Sequence, residues 1–322
     1  MLTIRKAEDR GHTDLGWLSS YHTFSFGGYQ DPAHMGFRAL RVLNDDRVEA
    51  AKGFGAHGHR EMEILSYVIA GTLAHRDSME EERNVAPDEI QTMSAGTGVI
   101  HSEFNPSPTE PVHFLQIWIE PAQSELTPSY QHVSYPRDEK RGRLRLVAGP
   151  DMRTSTSAVH LHQDARIYAA LLGPGESVTH AIPTGRHAWI QCATGGLIAN
   201  GVPLKAGDGL AVSDEARLTI TATSDGPGKG ATFTIGLPLA PDDEGEGDSP
   251  LEGRAAGRAL LSGIVSMVVE DEPDEREVIQ RLLEDAVAGT APRVRRATRG
   301  DRSPDTVPRP SRKAASRVPA SP

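Results

Sequence analysis

Two pairs of metal-binding side chains at alternate positions, His57-Gly58-His59 and His101-Ser102-Glu103, constrain this chain more than any other feature. In an extended strand, residues i and i+2 point to one face, so each pair presents its donors side by side. Two neighbouring strands then converge all of them on one ion, which calls for a sheet closed around a site. Glycines crowd both pairs: Gly53, Gly55 and Gly58 at the first, Gly96 and Gly98 ahead of the second. They permit the bends and close approaches that barrel strands need beside a buried centre. Cys192 is the only cysteine, which excludes an intramolecular disulfide and a cysteine-rich zinc module. A metal must therefore be held by imidazole and carboxylate. Such donors suit Fe(II), Mn(II), Co(II), Ni(II), Cu(II) or Zn(II), and leave positions of a six-coordinate ion open for chemistry.

Up to residue 240 the chain reads as short strands punctuated by glycine and proline. Residues 64–70 are β-rich and end at Gly71, and residues 114–119 end before Pro121. Residues 189–194 are a further strand, Gly195-Gly196 a turn, and Asn200-Gly201 a two-residue hairpin signal. Residues 207–222 continue in the same style, and no helix-period stripe precedes residue 255. The body is therefore expected to be all-β, a barrel or sandwich. Residues 105–157, rich in Pro and Arg, are expected to bridge two such units.

A chain of 322 residues exceeds what one core usually supports. The expected division is an N-terminal metal-binding barrel at 1–125 and a bridge with a second barrel at 126–240. An acidic linker at 241–258, a short strand and helix at 259–290 and a basic tail at 291–322 follow. The tail holds nine Lys/Arg against two Asp within a chain of net charge -10, and its composition is that of a disordered segment. The overall negative charge argues against nucleic acid as a partner. No apolar run reaches the roughly 18 residues of a membrane span. The charged N-terminus lacks a secretory signal, so a cytoplasmic location is expected.

The segments YHTFSFGGY at 21–29, AHGHREMEILSYVIAGTL at 56–73, HRDS at 75–78 and MSAGTGVIHSEFN at 93–105 carry a resemblance. With them the sequence is similar to the pirin family of the cupin superfamily, especially its bacterial members of the quercetin dioxygenase type. The resemblance implies an all-β bicupin, two tandem jelly-roll-like cupin β-barrels, the first holding one Fe(II) through His57, His59, His101 and Glu103. Co, Ni, Mn, Cu or Zn would fit the same donors. It further implies a small aromatic or enolizable substrate, oxygen, and opening of a flavonol ring with release of carbon monoxide. Because a general base must lie within reach of the proton it removes, Glu103 is expected to take the substrate proton. Other readings are a metal-dependent, redox-sensing regulatory or binding protein without turnover, and a non-oxidative cupin enzyme such as an isomerase. Gly58 stands where the family usually has proline, which loosens the loop without removing a ligand.

Strand parity leaves the fourth ligand open, because Glu61 and Glu63 alternate in step with His57 and His59, and cupins in general use a glutamate near that place. The pirin pattern favours Glu103, with Glu63 behind a histidine. His22 either borders the site or makes a structural hydrogen bond. His12 and His34 lie in the N-terminal segment and are not expected to be ligands, and His75 and His113 are expected to be packed or exposed. His180 and His187 lack the paired spacing, so the second barrel is expected to be metal-free.

Residues 265–285 resemble the opening of a response-regulator receiver domain, with Glu270, Asp271 and Glu272 at its acidic cluster. No later phosphate-accepting Asp follows, so the segment is expected to be a remnant without phosphotransfer. Alternatively its helix and the basic tail dock a protein partner.

Overall fold

The expected strands at 64–70 and 114–119 are apolar at nearly every position, which is the pattern of a sheet covered on both faces. The computed structural model describes residues 1–150, 158–223 and, as a strand, 231–238, and it puts these two strands side by side inside a seven-stranded sheet. The order is β12 (Ser129–Ser134), β9 (Glu89–Ser94), β6 (Glu63–Ala70), β11 (Val112–Ile119), β4 (Leu40–Val48), β3 (Leu18–His22) and β2 (Gly11–Asp14). A four-stranded sheet of β5 (Gly53–His59), β10 (Val99–Phe104), β7 (Leu73–Asp77) and β8 (Glu82–Val85) completes the first barrel.

The second barrel repeats the plan. Its large sheet runs β1 (Leu2–Arg5), β20 (Gly209–Val212), β17 (Arg186–Thr194), β22 (Ala231–Pro238), β15 (Arg166–Leu171), β13 (Arg145–Gly149) and β14 (Val159–His160). Its small sheet is β16 (Ser177–Ala181), β21 (Arg217–Ala222), β18 (Gly196–Ala199) and β19 (Val202–Lys205). The all-β bicupin expectation is met. Among the described residues helix is confined to the single turns Ala7–Asp9 and Arg137–Lys140, and no helix is long and apolar enough to cross a membrane.

Alternation along the central strands separates two cores. Leu65 and Tyr67 of β6, with Leu115, Ile117 and Ile119 of β11, join a core shared with Val147, Ile167 and Trp189 of the second barrel. Ile64 and Trp118, and on the same parity Val68 and Phe114, turn the other way into the first barrel. Truncating a fully buried leucine such as Leu65 to alanine costs about 2–5 kcal/mol at sites of this kind. Buried Lys140 adds a polar tie, donating to the Tyr67 hydroxyl at 2.9 Å and to Asp88 Oδ1 at 2.6 Å.

Some connections differ from expectation. The N-terminal strand β1 pairs antiparallel with β20, so the chain crosses the expected boundary near residue 125 at its very start. The stretch 105–157 is more than a bridge: it supplies β11 and β12 to the first large sheet, and Pro106, Pro108, Pro111, Pro121, Pro128 and Pro136 fall between strands. The Asn200-Gly201 hairpin forms as its chemistry dictates, both residues at positive φ (+45° and +84°) with Ala199 opposite Val202. The acidic linker at 241–258, the receiver-like segment at 259–290 with its suggested partner-docking helix, and the basic tail at 291–322 lie outside the described residues.

Candidate metal centre

β5 and β10 are antiparallel neighbours in which His101 faces His57 and Val99 faces His59. Residues facing each other across two strands share a side of the sheet, so three imidazoles project from one patch. Between His101 and Glu103 the register slips and Glu103 comes opposite Phe54, a bulge that re-aims the side chains beside the site. Gly53 makes the slip possible, because a Cβ there would lie 2.3 Å from the Glu103 carbonyl oxygen and 2.5 Å from Phe104 Cα. Gly55 and Gly58 carry no such constraint: a Cβ on Gly55 meets nothing within 4 Å, and one on Gly58 only Val99 O at 3.8 Å.

The ligand atoms of His57, His59 and His101 lie within 4.8 Å of one another, and the Nε2 atoms of His57 and His101 face each other at 3.0 Å. His57 Nδ1 sits 2.8 Å from the Gly55 carbonyl oxygen, which can only accept, so that nitrogen carries the hydrogen and Nε2 presents a lone pair. Burial depresses the basicity of all three rings, His59 to about 3, with neighbouring imidazoles adding to the effect at His59 and His101. Converging neutral imidazoles with lone pairs turned inward fit a divalent transition metal.

Glu103 is buried on the same strand, and its ligand atom lies within 4.8 Å of those of His101 and His75 rather than within the tight trio of imidazoles. Its carboxylate accepts from Ser66 Oγ at 3.0 Å and Gln91 Nε2 at 2.8 Å on one oxygen, and from Gln116 Nε2 at 3.1 Å on the other. The Gln91 carbonyl oxygen in turn accepts from the Tyr130 hydroxyl, which fixes the orientation of that amide. Burial, and then the charge of Glu103, hold the Tyr130 phenol protonated.

Glu63 goes elsewhere. Glu61 adopts φ +52° and breaks the strand between β5 and β6, so the alternation does not carry through. Glu63 instead shares its parity with Leu65 and Tyr67, accepts from Ser94, and meets the backbone N–H and ring of His162 at 3.3 Å. The histidine behind which it sits therefore belongs to the second barrel, not to the site. His162 and His160 form a His-Leu-His pair that the sequence reading passed over, with ring centroids 4.6 Å apart.

The remaining histidines divide. His34 pairs with Asp31 and His113 with Asp45, both at 2.7 Å, while His12 stacks on Tyr21. His180 lies beside Tyr168, and His187 bonds Ser213. His22 both borders the site and makes structural hydrogen bonds, to Asn44 Oδ1 at 2.9 Å and Thr13 Oγ1 at 2.8 Å. His75 is 1% exposed and stands directly behind His101, a placement the sequence reading missed.

A pocket of about 840 Å³, counting the part open to solvent, is lined by His57, His59 and Glu103 of this cluster. Trp17, Phe26, Phe54 and Trp118 are among its walls, while Asp46 and Asn44 add polar groups. Asp46 Oδ1 is buried without a hydrogen-bond partner among the described residues, and burial, despite a hydrogen bond from Ser20, pushes this carboxyl up to about 7.

These shifts predict how the metal-free chain responds to acid. Unfolded histidine takes up a proton near pH 6.5, whereas folded His22 and His59 do so only near about 4 and about 3, so the unfolded state binds more protons between. That stability is present above pH 6.5 and is lost as pH falls through the folded values. Asp46 works oppositely: its contribution is present below pH 3.8 and lost as pH rises through about 7. Four depressed imidazoles, with His57 and His101, outweigh one raised carboxyl. Urea midpoints of metal-free protein should therefore fall between pH 7 and pH 4, and Asp46→Asn should steepen the fall. A flat profile would contradict the assignment of neutral buried rings.

Comparison with known proteins matches the Pirin family model to residues 3–119 and the Quercetinase C-terminal cupin domain model to residues 146–227. A quercetin 2,3-dioxygenase of Escherichia coli (strain K12) is 48% identical over 225 residues, 70% of this chain and 95% of that protein. A pirin-like protein of Caulobacter vibrioides is 38% identical over 222 residues, 69% of this chain and 95% of that protein. Among solved structures, bacterial pirin YhhW from Escherichia coli in complex with nickel(II) has a TM-score of 0.69 at 44% identity, covering 74% of this chain and all of that one. Neither family match reaches residues 259–290, and the receiver-like reading of that segment gains no support.

Proposed function

The chain belongs to the pirin family, and from that premise we propose that it is a mononuclear metal-dependent dioxygenase that opens the heterocycle of a quercetin-like flavonol with oxygen. The observation that carries the proposal is the convergence of three neutral imidazoles beside an aromatic-walled pocket that His57, His59, Glu103 and Asp46 line. In this reading His57, His59, His101 and Glu103 hold one divalent ion. The nickel complex of YhhW and the donor set support a divalent transition metal, and Fe(II) is the ion we assign.

When bound, a divalent ion held there would acidify an enolic hydroxyl by stabilising its oxyanion. Glu103 takes the proton, held in place meanwhile by Ser66, Gln91 and Gln116. Phe26 and Trp118, edge to face at 5.4 Å, give a planar aromatic ligand an apolar wall and keep water from the reacting carbons. Asp46 Oδ1, which has no hydrogen-bond partner among the described residues, accepts a hydrogen bond from a ligand hydroxyl. Oxygen then enters the heterocycle, two carbon–carbon bonds break, both oxygen atoms remain in the ester-acid product, and one carbon leaves as carbon monoxide.

A thiol-based redox sensor is a poor rival, because Cys192 is fully buried and burial pushes its thiol up to about 12. A regulatory role would have to act through the metal. The experiment that separates the readings is aerobic incubation of the metal-loaded full chain with quercetin: loss of the flavonol absorbance band supports the enzyme, and tight metal binding with an unaltered flavonol supports the regulator.

A further inference from the structure

The HisArgAspSer run at 75–78 carries a third alternate pair, His75 and Asp77, that the ligand set leaves unused. β7 lies against β10 on the side away from β5, with Asp77 opposite His101 and His75 opposite Glu103. Three neighbouring strands thus contribute paired polar side chains to one patch. Ser78 locks this register, donating its N–H to Ile100 O at 2.8 Å and accepting the Ile100 N–H on its hydroxyl at 3.2 Å.

Hydrogen positions follow from what each atom can do. Asp77 Oδ1 accepts the backbone N–H groups of Met79 at 2.8 Å and Glu81 at 3.2 Å. Asp77 Oδ2 lies 2.9 Å from His75 Nε2, so that nitrogen donates. In a neutral imidazole the other nitrogen then accepts. His75 Nδ1 faces His101 Nδ1 at 3.5 Å, so an accepting His75 calls for the hydrogen of His101 on Nδ1. The Nε2 atoms of His101 and His57 then face each other at 3.0 Å, where two lone pairs repel unless a cation lies between them. Both His75 and the Asp77 side chain are essentially without solvent contact, so water does not substitute for either partner. Tyr130 stacks on His75 at 4.8 Å and holds its ring in plane.

We infer that Asp77 and His75 form a buried carboxylate–imidazole relay behind His101 that fixes which nitrogen of His101 faces the metal. The inference rests on the reading of His101 as a ligand. Groups behind a metal-bound histidine hold its ring and raise its donor strength, and their loss typically costs roughly 10- to 100-fold in metal affinity. His75 and Asp77 are positioning residues here, since neither touches the ion.

The test uses the full chain with histidine side chains labelled with 15N, together with Ni(II) titration. In metal-free wild type, His101 should show a protonated Nδ1 and an unprotonated Nε2. Asp77→Asn cannot accept from both His75 and the two backbone N–H groups, so it should mix the His101 tautomers and weaken Ni(II) binding roughly 10- to 100-fold with an unchanged circular dichroism spectrum. His75→Phe, which keeps the stacking on Tyr130, should weaken Ni(II) similarly. A wild-type His101 protonated on Nε2 would overturn the relay, whatever the variants do. So would Asp77→Asn with wild-type tautomer and affinity, or His75→Phe losing the ion as completely as His101→Ala, which would make His75 a ligand. Failure of wild type to bind Ni(II) while the tautomer is as stated would count against the metal centre and leave the relay standing.

Discussion

His101→Ala is expected to remove the metal and, with it, all oxygen-dependent consumption of flavonol. His101 is the hub of the centre: its Nε2 faces His57 at 3.0 Å, its ring lies 4.8 Å from that of His59, and its other nitrogen meets His75. Its strand neighbours Ile100 and Ser102 cannot take its place, because they point away from the patch. Metal analysis of wild type should give about one ion per chain, as one converged set of donors requires. In the variant the loss of affinity should exceed the roughly 10- to 100-fold expected for groups behind a ligand. The fold should survive, since the ring sits among those of His57, His59 and His75 rather than in the inter-barrel core. A variant that keeps its ion and its turnover would remove His101 from the centre.

The second large effect belongs to Glu103→Gln. Glutamine keeps the size of the side chain but cannot act as the base, and losing a general base typically costs about 10²- to 10⁴-fold in rate. It also turns an NH₂ group toward donors where an acceptor stood, either Gln116 Nε2 at 3.1 Å or Ser66 Oγ and Gln91 Nε2 at 3.0 and 2.8 Å. Turnover should therefore fall further than metal content. Glu63→Ala is the contrasting variant: Glu63 faces Ser94 and His162 between the barrels, so metal affinity should be unchanged and the fold should lose about 1–3 kcal/mol for the buried groups left without partners. Equal effects of the two substitutions on metal binding would return the fourth-ligand question to Glu63.

How much of this was legible in the sequence depends on how local each cause is. Alternation with period two is written in the chain itself, so the paired donors His57/His59 and His101/Glu103 and the apolar strands around 64–70 and 114–119 were readable. Glu63 was not, because its direction turns on one residue, Glu61 at φ +52°, which breaks the alternation and sends Glu63 toward the second barrel. His75 looked like a packed or exposed residue because its meaning, with that of Asp77, comes from the register of β7 against β10, which no local signal states. Ser66, Gln91, Gln116 and Asp46 reach the site from the opposite sheet and become visible only when the barrel closes. Asn44-Asp45-Asp46 resembles a solvated polar run, yet all three are nearly fully buried within β4. The N-terminal strand gives no hint in composition that it pairs with residues 209–212.

The central claim is that this pocket and its metal open a flavonol with oxygen. The most direct measurement is gas exchange: the metal-loaded full chain incubated with quercetin in a closed cell, following oxygen uptake, carbon monoxide release and the flavonol absorbance band together. The account predicts one oxygen consumed and one carbon monoxide released per quercetin lost, and no change in the band under anaerobic conditions. Protein that carries its ion yet leaves quercetin and oxygen untouched would contradict it.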